Sequence, residues 1–354
     1  MSEPERNMTR RSAGLIHVAR GLWYVRPGVV ELRPATLPPL EPGKVQIRAT
    51  YSGVSRGTER LVLAGLVPEQ ERERMRAPLQ EGAFPFPVKY GYCAVGVVEA
   101  GPKDLVGRSV FCLHPHQDIF QAPVGMAVPI PDDLPPRRAT LAANMETALN
   151  ALWDSGAGPA DRITVVGAGI VGLLVAYLAA GMPGAEVTVI DPAEARRPLV
   201  ESFGCRFSLP SQLSSALAGE VARSAVGGAG NSADVVFHTS ASEAGLATAV
   251  ASAGMEGTIV ELSWYGDKRI AVPLGGAFHS QRLKLVSSQV GQISAGRRSR
   301  WDYRRRMEAA LRLLADDRLD ALLTSEIAFE DAPAKLPGLL ARDAPALAPV
   351  IRYS

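Results

Sequence analysis

The pattern of apolar and polar positions changes in character along the chain. Before Pro136, short runs alternate apolar and polar residues, as half-buried β-strands do, and prolines and glycines separate the runs. The clearest of these runs are Val45–Ala49, Val95–Glu99, Ser109–Leu113 and Val128–Pro131. Such a region is typical of a small, irregular β-barrel with few helices.

After Pro136, helical and strand-like segments follow one another. Ala139–Trp153 is rich in Ala and Leu and predicts a helix. The predicted strands then cover 163–166, 186–190, 234–237, 258–262 and 284–288, and the predicted helices cover 170–181, 194–203 and 242–253. Alternation at this spacing predicts βαβ units and a parallel sheet, which places the chain in the α/β class.

The last part of the chain returns to mixed structure. Apolar residues from Met307 to Leu314 follow the 3.6-residue period of a helix with one buried face. A strand at Ser325–Phe329, a helix at Lys335–Leu340 and a strand at Pro349–Tyr353 are predicted after it.

Composition narrows the function classes. The 354 residues carry 38 Lys and Arg against 36 Asp and Glu, a net charge of +2 that gives no reason to expect a nucleic-acid partner. Three cysteines, none in a C-x-x-C pair, do not supply a disulfide framework or a structural zinc site. Ile163–Met182 lacks charges, but glycines interrupt it, so we predict a buried strand, turn and helix and no membrane span. Residues 1–14 form a polar tail without the apolar segment of a signal peptide, which predicts a cytoplasmic protein.

The strongest local motif is a glycine-rich turn between a strand and a helix. Gly167, Gly169 and Gly172 form the pattern G-x-G-x-x-G directly after a predicted apolar strand. The first glycine permits the tight turn, the second lets a pyrophosphate approach the backbone, and the third allows the helix to pack closely on the sheet. The phosphates then bind at the helix N-terminus, where Ile170 and Val171 offer free amides. The motif predicts a dinucleotide-binding site.

An acidic residue at the end of the next strand sharpens this interpretation. Asp191 stands 22 residues after Gly169, and a carboxylate there accepts hydrogen bonds from the adenosine ribose and repels a 2′-phosphate. The sequence therefore predicts NAD as the cofactor. Arg196 would attract a 2′-phosphate, which leaves NADP as the alternative. His238, Thr239 and Ser240 end a further strand at the same edge of the sheet and are predicted to line the nicotinamide side of the cleft.

These segments together resemble the medium-chain dehydrogenase/reductase family. The resemblance covers nearly the whole chain and rests on the glycine-rich turn, on Tyr51–Glu59 (YSGVSRGTE), on Gly91–Gly96 (GYCAVG) and on Arg196 after Asp191. It implies a GroES-like β-barrel catalytic domain, a Rossmann domain with a doubly wound parallel sheet, and a homodimer or homotetramer. The SGVSRGTE element and the Lys284–Arg306 region most resemble the bacteriochlorophyllide-dehydrogenase-like branch.

The resemblance also implies limits for the parts of the chain. These are a disordered tail at 1–14, a GroES-like catalytic domain at 15–149, a Rossmann domain at 150–290 and a return to the catalytic domain at 291–354.

The positions that hold zinc in this family have changed. Zinc alcohol dehydrogenases carry a ligand Cys in a G-x-C-G-T-D element and a ligand His in a G-H-E element. Here Gly53–Glu59 has one extra residue and no Cys, Gly91–Cys93 (GYC) replaces the His element, and Glu146 matches the third ligand position. Because zinc prefers thiolate and imidazole ligands, we expect neither a catalytic nor a structural zinc ion. The alternative is a shifted metal site built from Cys93, His114, His116 and Glu146.

An enzyme without zinc still needs a hydrogen-bond donor for the oxygen on which negative charge develops. Thr58, whose family counterpart contacts the substrate oxygen, is one candidate, and Ser55 and Tyr92 at the former ligand positions are others. His116 is a candidate general acid, because histidine titrates near physiological pH. Each of these groups has an ordinary structural hydrogen bond as its alternative role.

A basic segment leaves two interpretations open. Arg297–Arg306 carries six arginines and one acid, with Trp301 and Tyr303 among them. It is either an anion site for a carboxylated or phosphorylated substrate, joined by Arg56 and Lys89, or a solvated helix start or subunit contact.

The sequence thus predicts an oxidoreductase that transfers a hydride between NAD(H) and a small alcohol or ketone without a catalytic zinc ion. The alternatives are an NADPH-dependent enoyl or quinone reductase, which also needs no zinc, and a nucleotide-binding protein without catalytic activity.

Overall fold

A computed structural model of the protein describes residues 19–212 and 232–354, so the predicted tail at 1–14 lies outside the described residues. The strands are β1 (Ala19–Arg26), β2 (Val29–Ala35), β3 (Lys44–Gly53), β4 (Glu81–Gly82), β5 (Val88–Lys89), β6 (Ala94–Ala100), β7 (Ser109–Cys112), β8 (Ile119–Pro123), β9 (Val128–Pro129), β10 (Arg162–Val166), β11 (Glu186–Ile190), β12 (Arg206–Ser208), β13 (Ala233–His238), β14 (Ala253–Glu261), β15 (Lys284–Ser287), β16 (Ser325–Ala328) and β17 (Pro349–Arg352). The helices are α1 (Arg56–Ala64), α2 (Pro136–Ala139), α3 (Ala142–Ser155), α4 (Ile170–Ala180), α5 (Arg197–Ser202), α6 (Glu243–Ser252), α7 (Tyr303–Leu313) and α8 (Ala332–Leu339).

Two sheets form the β-rich half of the molecule. One has the strand order β2-β1-β5-β4, and the other has the order β16-β17-β3-β6-β7-β9, with β8 paired to β3. Alternation along β3 buries Val45, Ile47 and Ala49, as the half-buried pattern of that segment predicts. β17 pairs antiparallel with β3, so the end of the chain completes the sheet that the first part begins.

The other half is a six-stranded parallel sheet with the order β12-β11-β10-β13-β14-β15. β10, β11 and β12 extend from the centre to one side, and β13, β14 and β15 extend to the other. The strand order therefore reverses between β10 and β13. Ligands of doubly wound sheets bind at the carboxyl ends of the strands beside such a reversal. The predicted α/β class with a doubly wound parallel sheet is confirmed.

Three differences between the sequence pattern and the structure have an identifiable physical cause. Helix α1 is not visible in the hydrophobic pattern, because its apolar residues are confined to its last turn and its polar Glu59 is buried by tertiary contacts. The helix predicted at 139–153 is two helices, α2 and α3. Between them, the hydroxyl of Thr140 donates a hydrogen bond to the carbonyl oxygen of Arg137 at 2.6 Å. The strand predicted at 258–262 already begins at Ala253, because a register shift lets β14 continue its pairing with β13.

Apolar packing joins the two halves. Val95 and Phe111 of the β-rich half share one buried cluster with Met145 of α3 and Val165 of β10. In the described part of the chain, no helix is long and apolar enough to cross a bilayer. The uncharged segment 163–182 folds as β10, a turn and the buried helix α4, as predicted.

Candidate active site

The glycine-rich turn joins β10 to α4 at the reversal point of the parallel sheet. Gly167 has a φ of +112°, which favours glycine. A Cβ added at Gly172 would lie 2.0 Å from the carbonyl oxygen of Gly167. The helix therefore packs on the turn more closely than any residue with a side chain would allow. A Cβ added at Gly169 would meet nothing within 4 Å, which leaves this side of the turn open to a ligand. This geometry is the one that a pyrophosphate-binding turn requires.

The N-terminus of α4 is open to an anion. Gly169 is its N-cap residue, and no side chain of the described residues caps the helix there. The amides of Ile170, Val171 and Gly172 belong to the first turn, where backbone donors lack helical partners and the helix dipole favours negative charge. The predicted phosphate-binding amides are thus placed where a phosphate can reach them.

Asp191 follows β11 and holds the glycine-rich turn. Its Oδ2 accepts a hydrogen bond from the amide of Ala168 at 2.7 Å, and its Oδ1 accepts one from the amide of Ala193 at 2.8 Å. A carboxylate oxygen has a second lone pair, so Asp191 can still accept a hydrogen bond from a ribose hydroxyl. Asp191 therefore has a structural contact beside its predicted role in cofactor binding.

Four arginines gather beside this edge of the sheet, and sequence reasoning did not identify them as a group. They are Arg56, Arg60, Arg196 and Arg342. Burial lowers the pKa of Arg56, and the charges of Arg60 and Arg196 add to the shift. None of the four forms an ion pair with a carboxylate of the described residues. Asp191 opposes the charge of Arg196, and the remaining positive charge of the group attracts an anionic ligand.

The arginine group also shows that the two halves of the molecule face each other here. The guanidinium of Arg56, in the first turn of α1, donates to the carbonyl oxygens of Leu339, Ala341 and Ala346. Arg196, beyond β11, donates to the carbonyl oxygen of Pro345 at 2.8 Å. Both arginines therefore bind the same segment near the end of the chain, residues 339–346. This shared contact brings the start of α1 towards the end of β11.

The candidate catalytic hydroxyls come together at the first turn of α1. The side chains of Ser55 and Thr58 lie beside the hydroxyl of Tyr92 and oppose part of the rise in its pKa. Burial raises the pKa of Tyr92 well above its ordinary value, and the neighbouring Cys93 adds to the shift. Tyr92 therefore keeps its proton at neutral pH and is able to donate it in a hydrogen bond.

His116 lies behind this cluster and is fully buried. Its Nε2 is 3.1 Å from Glu59 Oε2, and its Nδ1 is 2.7 Å from Ser52 Oγ. Glu59 in turn accepts hydrogen bonds from the amide of Ser55 at 2.7 Å and from the hydroxyl of Tyr24 at 2.6 Å. The structure therefore places His116 as a support of Glu59 and of the start of α1, one layer away from the hydroxyl cluster.

The residues of the shifted metal site are occupied elsewhere. Glu146 Oε1 accepts a hydrogen bond from Arg306 Nε at 2.9 Å. Burial lowers the pKa of His114 to about 3, and its Nδ1 lies 2.8 Å from the carbonyl oxygen of Pro115. Burial raises the pKa of the Cys93 thiol, and the charges of Glu59 and Glu146 add to the shift, which disfavours the thiolate that binds zinc.

Across residues 19–212 and 232–354, no group of three or more His, Cys, Asp and Glu side chains is placed to hold a metal ion. Ser55, Tyr92 and Glu146, which the resemblance places at the family's ligand positions, supply two hydroxyls and one carboxylate already paired to an arginine. This donor set does not fit zinc, which is bound in proteins by Cys, His and free carboxylates.

The basic segment 297–306 makes contacts within the chain, although Arg306 is the only one of its arginines that is buried. Arg306 is buried and donates to Glu146, to Asn150 Oδ1 at 2.7 Å and to the carbonyl oxygen of Val290 at 2.6 Å. The guanidinium of Arg305 stacks on Trp301, with its carbon 4.1 Å from the ring centre. Lys89, the proposed partner of an anion site, is buried and hydrogen-bonded to Glu81 and Gln117. These contacts favour a structural role for the segment, at the start of α7.

Thr239 and Ser240 stand beside the glycine-rich turn, at the end of β13. Thr239 Oγ1 donates to the carbonyl oxygen of Gly167 at 2.9 Å. Ser240 Oγ lies 2.7 Å from the Nε2 of the fully buried His238. The contact of His238 with Glu261, at the end of β14, was not predicted. Its signal in the sequence is an ionisable residue closing each of two neighbouring buried strands.

Comparison with known proteins shows which families and structures are similar to this chain. Residues 171–315 match a family described as zinc-binding dehydrogenases. A zinc-type alcohol dehydrogenase-like protein of Haemophilus influenzae is 26% identical over 219 residues, which are 61% of this chain and 58% of the relative. The matched segment thus spans less than two thirds of that relative.

Two solved structures share the fold over nearly their whole length. A short chain alcohol dehydrogenase of Escherichia coli complexed with the cofactor NADH has a TM-score of 0.73 at 15% identity, over 94% of this chain and 99% of that one. A putative zinc-binding dehydrogenase of Sinorhizobium meliloti bound to NADP has a TM-score of 0.72 at 17% identity, over 95% and 99%. At this level of identity the likeness shows the fold, a GroES-like domain joined to a Rossmann domain.

Proposed function

Because the chain belongs to the medium-chain dehydrogenase/reductase family of zinc-type alcohol dehydrogenase-like proteins, we propose that it is an NAD(H)-dependent oxidoreductase that interconverts a small alcohol and a ketone without a catalytic zinc ion. The observation that carries this proposal is the glycine-rich turn at the reversal point of the sheet, open at Gly169 and tied to Asp191. The two solved relatives carry NADH and NADP respectively, which supports a nicotinamide dinucleotide as the ligand.

The chain's own residues supply the binding site for that dinucleotide. The first amides of α4 would hold the pyrophosphate, and Asp191 would accept from the adenosine ribose. Arg56 and its neighbouring arginines add positive charge for the phosphates. The negative charge of Asp191 favours NAD over NADP, while Arg196, already bound to Pro345, is the residue through which NADP would be accepted.

A bound nicotinamide supplies the hydride chemistry, and the protein supplies orientation and a hydrogen bond to the reacting oxygen. Tyr92 is the residue that we assign to this hydrogen bond, because it stays protonated. Ser55 and Thr58 lie beside its hydroxyl. The loop after β14 lies against the residues that follow α1, since a Cβ at Gly266 would lie 2.8 Å from the carbonyl oxygen of Leu66.

Replacing Tyr92 with phenylalanine lowers kcat about 100-fold with little change in cofactor affinity, because the loss of one donor to a developing oxyanion has this magnitude. Steady-state kinetics and a cofactor titration measure the two quantities. Tyr90→Phe is the matched control, since Tyr90 is a buried tyrosine whose ring packs edge-on against Tyr92. Equal turnover of Tyr92→Phe and wild type would remove Tyr92 from the mechanism.

Protein dialysed against metal-free buffer retains no stoichiometric zinc, because the donor set does not fit the ion. Elemental analysis of the purified chain measures the zinc content, and turnover with NAD before and after treatment with a chelator measures its relevance. One zinc ion per chain, or activity lost to the chelator and restored by zinc, contradicts the zinc-free assignment.

The proposed activity is tested by titration with NADH and NADPH, followed by a panel of small alcohols and ketones. Binding of NADH with alcohol or ketone turnover supports the proposal. Binding of NADPH with reduction of alkenes or quinones supports the reductase alternative, and binding without any turnover supports a protein that only binds nucleotides. The substrate panel includes anionic compounds, which the positive charge of Arg56 and its neighbouring arginines favours. The homo-oligomer, the cytoplasmic location, the limits of the domains and the closest branch stay predictions.

A further inference from the structure

Ionisable and hydroxyl side chains form a hydrogen-bonded line at the carboxyl edge of the parallel sheet. Glu261 Oε2 lies 2.7 Å from His238 Nδ1, and His238 Nε2 lies 2.7 Å from Ser240 Oγ. Ser242 Oγ continues the line at 2.9 Å from Ser240 Oγ. A carboxylate, an imidazole and two hydroxyls in this order are able to take up one proton and pass it on.

Several elements pack around this line of side chains. β14 contributes Glu261, the segment after it contributes Ser263 and Tyr265, and the start of α6 lies against the other end of the imidazole. A Cβ added at Gly245, in the first turn of α6, would lie 2.0 Å from Ser240 Oγ and 2.9 Å from His238 Nε2. His238 itself is fully buried. Any charge on its imidazole is therefore balanced by the groups of this site and not by solvent.

The two titratable neighbours of His238 each keep one charge state near neutral pH. Burial favours the protonated form of Glu261, but hydrogen bonds from His238 and Ser263 outweigh it and lower the pKa of the carboxyl below its ordinary value. Burial and the charge of Glu261 raise the pKa of Tyr265 well above its ordinary value, so the phenol stays neutral. Among the described residues these two are the titratable groups in contact with His238.

The pair of His238 and Glu261 lies where the nicotinamide half of a bound dinucleotide would lie. Asp191 marks the adenosine side, beyond β10 on the β11 side of the reversal point. The other half of a dinucleotide then extends over the ends of β13 and β14, which His238 and Glu261 close. A Cβ added at Gly167 would lie 2.9 Å from the amide nitrogen of Ser240, so the line begins directly beside the glycine-rich turn.

We propose that His238, paired with Glu261, is a proton-accepting group whose protonation is coupled to the redox state of the nicotinamide cofactor. This inference rests on the proposed function. The oxidised nicotinamide ring carries a positive charge and the reduced ring does not. A protonated His238 therefore repels the oxidised form and tolerates the reduced form, and Glu261 stabilises the imidazolium that results.

The coupling matches the proton balance of the reaction. When an alcohol is oxidised, its C–H bond breaks with both electrons passing to the cofactor as hydride, and its O–H bond gives up one proton. That proton passes to solvent, and His238 takes up one proton from solvent at the step in which the neighbouring positive charge is lost. Ser240 and Ser242, which are half-buried, connect the imidazole to the surface and let the proton enter and leave. His238 and Glu261 act through electrostatics and positioning, not by contact with the reacting carbon.

Affinities for the oxidised and reduced cofactor, measured against pH, test the coupling without any turnover. For the wild type, the dissociation constant of NAD⁺ divided by that of NADH falls about tenfold from about pH 5.5 to about pH 8, because one unit of differential titration equals a factor of ten. In His238→Asn the ratio is independent of pH. In Glu261→Gln the change moves to lower pH, since the imidazolium has lost its counter-charge. His279→Asn is the matched control, because His279 is an exposed histidine of the same half and leaves the wild-type profile intact.

The outcomes separate this inference from the function on which it rests. If both cofactor forms bind and their ratio in the wild type does not change with pH, the coupling is wrong and the oxidoreductase assignment stands. If neither NAD⁺ nor NADH, nor the corresponding NADP pair, binds to the wild type, both are wrong. A wild-type profile that persists in a folded His238→Asn, or that moves to higher pH in Glu261→Gln, also overturns the role of the pair.

Discussion

Replacing Arg306 with methionine lowers the free energy of unfolding by about 3–5 kcal/mol, the cost of removing one partner of a buried ion pair. Arg306 is 2% exposed, and its guanidinium satisfies Glu146, Asn150 and two backbone carbonyls. Methionine fills a similar volume but leaves the buried Glu146 carboxylate without a partner. Urea denaturation followed by tryptophan fluorescence measures the loss, since Trp153 and Trp301 lie in this region.

Arg304→Met provides the matched control for this prediction. Arg304 lies two residues earlier on the same helix and pairs with Glu308 at 2.9 Å, but both side chains are 40% exposed. Its loss costs less than about 0.5 kcal/mol. The double variant Glu146→Gln, Arg306→Met recovers part of the lost stability, because the amide carries no buried charge. Equal stabilities of the Arg306 and Arg304 variants would contradict the structural role of Arg306.

The deficit of the Arg306 variant also depends on pH. Burial raises the pKa of Glu146 in the folded protein, although the charge and hydrogen bond of Arg306 oppose the shift. A carboxyl with a raised pKa favours the folded state at low pH and loses this contribution as the pH rises through its folded-state pKa. Without Arg306 the shift increases. The deficit is therefore smallest near about pH 5 and grows towards about pH 8.

Arg306 illustrates what the sequence pattern predicts and what it leaves out. The amphipathic period from Met307 to Leu314 predicts helix α7 correctly, because a helix has to bury its apolar face. The same sequence presents Arg306 as one of six similar arginines. Its burial depends on Glu146, 160 residues earlier, and no local pattern reports a pair at that distance.

The candidate site likewise has one part that the sequence predicts and another that only the structure reveals. The glycine-rich turn is visible in the sequence, because the strand, the turn and the helix that form it are consecutive and each glycine has a local steric reason. The hydrogen bonds around Glu59 join residues from Tyr24 to His116, and Ser52 Oγ lies 2.9 Å from the hydroxyl of Tyr353. Such networks depend on the closure of the barrel sheet, in which β17 pairs with β3. The role of His116 as a support is therefore found only in the structure.

Replacing Gly169 with alanine lowers the affinity for the nicotinamide dinucleotide about 1,000-fold while leaving the stability of the protein unchanged to within about 1 kcal/mol. The stability is preserved because the new Cβ meets nothing within 4 Å and the φ of −77° suits alanine. The affinity falls because a Cβ occupies the side of the turn from which a pyrophosphate would reach the backbone amides, and two hydrogen bonds to a charged group are worth about 3–6 kcal/mol. Isothermal titration and thermal unfolding measure the two effects separately.

Gly172→Ala and Gly158→Ala distinguish this effect from a general sensitivity of glycines. At Gly172 the new Cβ would lie 2.0 Å from the carbonyl oxygen of Gly167 and 2.6 Å from Thr239 Oγ1, so the turn has to move and both stability and affinity fall. At Gly158 the Cβ meets nothing within 4 Å and lies away from the turn, so neither quantity changes. The pattern expected of a pyrophosphate site is thus loss of affinity alone at Gly169, loss of both at Gly172 and loss of neither at Gly158. If Gly169→Ala binds the dinucleotide as tightly as the wild type does, the open side of the turn is not where the phosphates lie, and the observation that carries the proposed function fails with it.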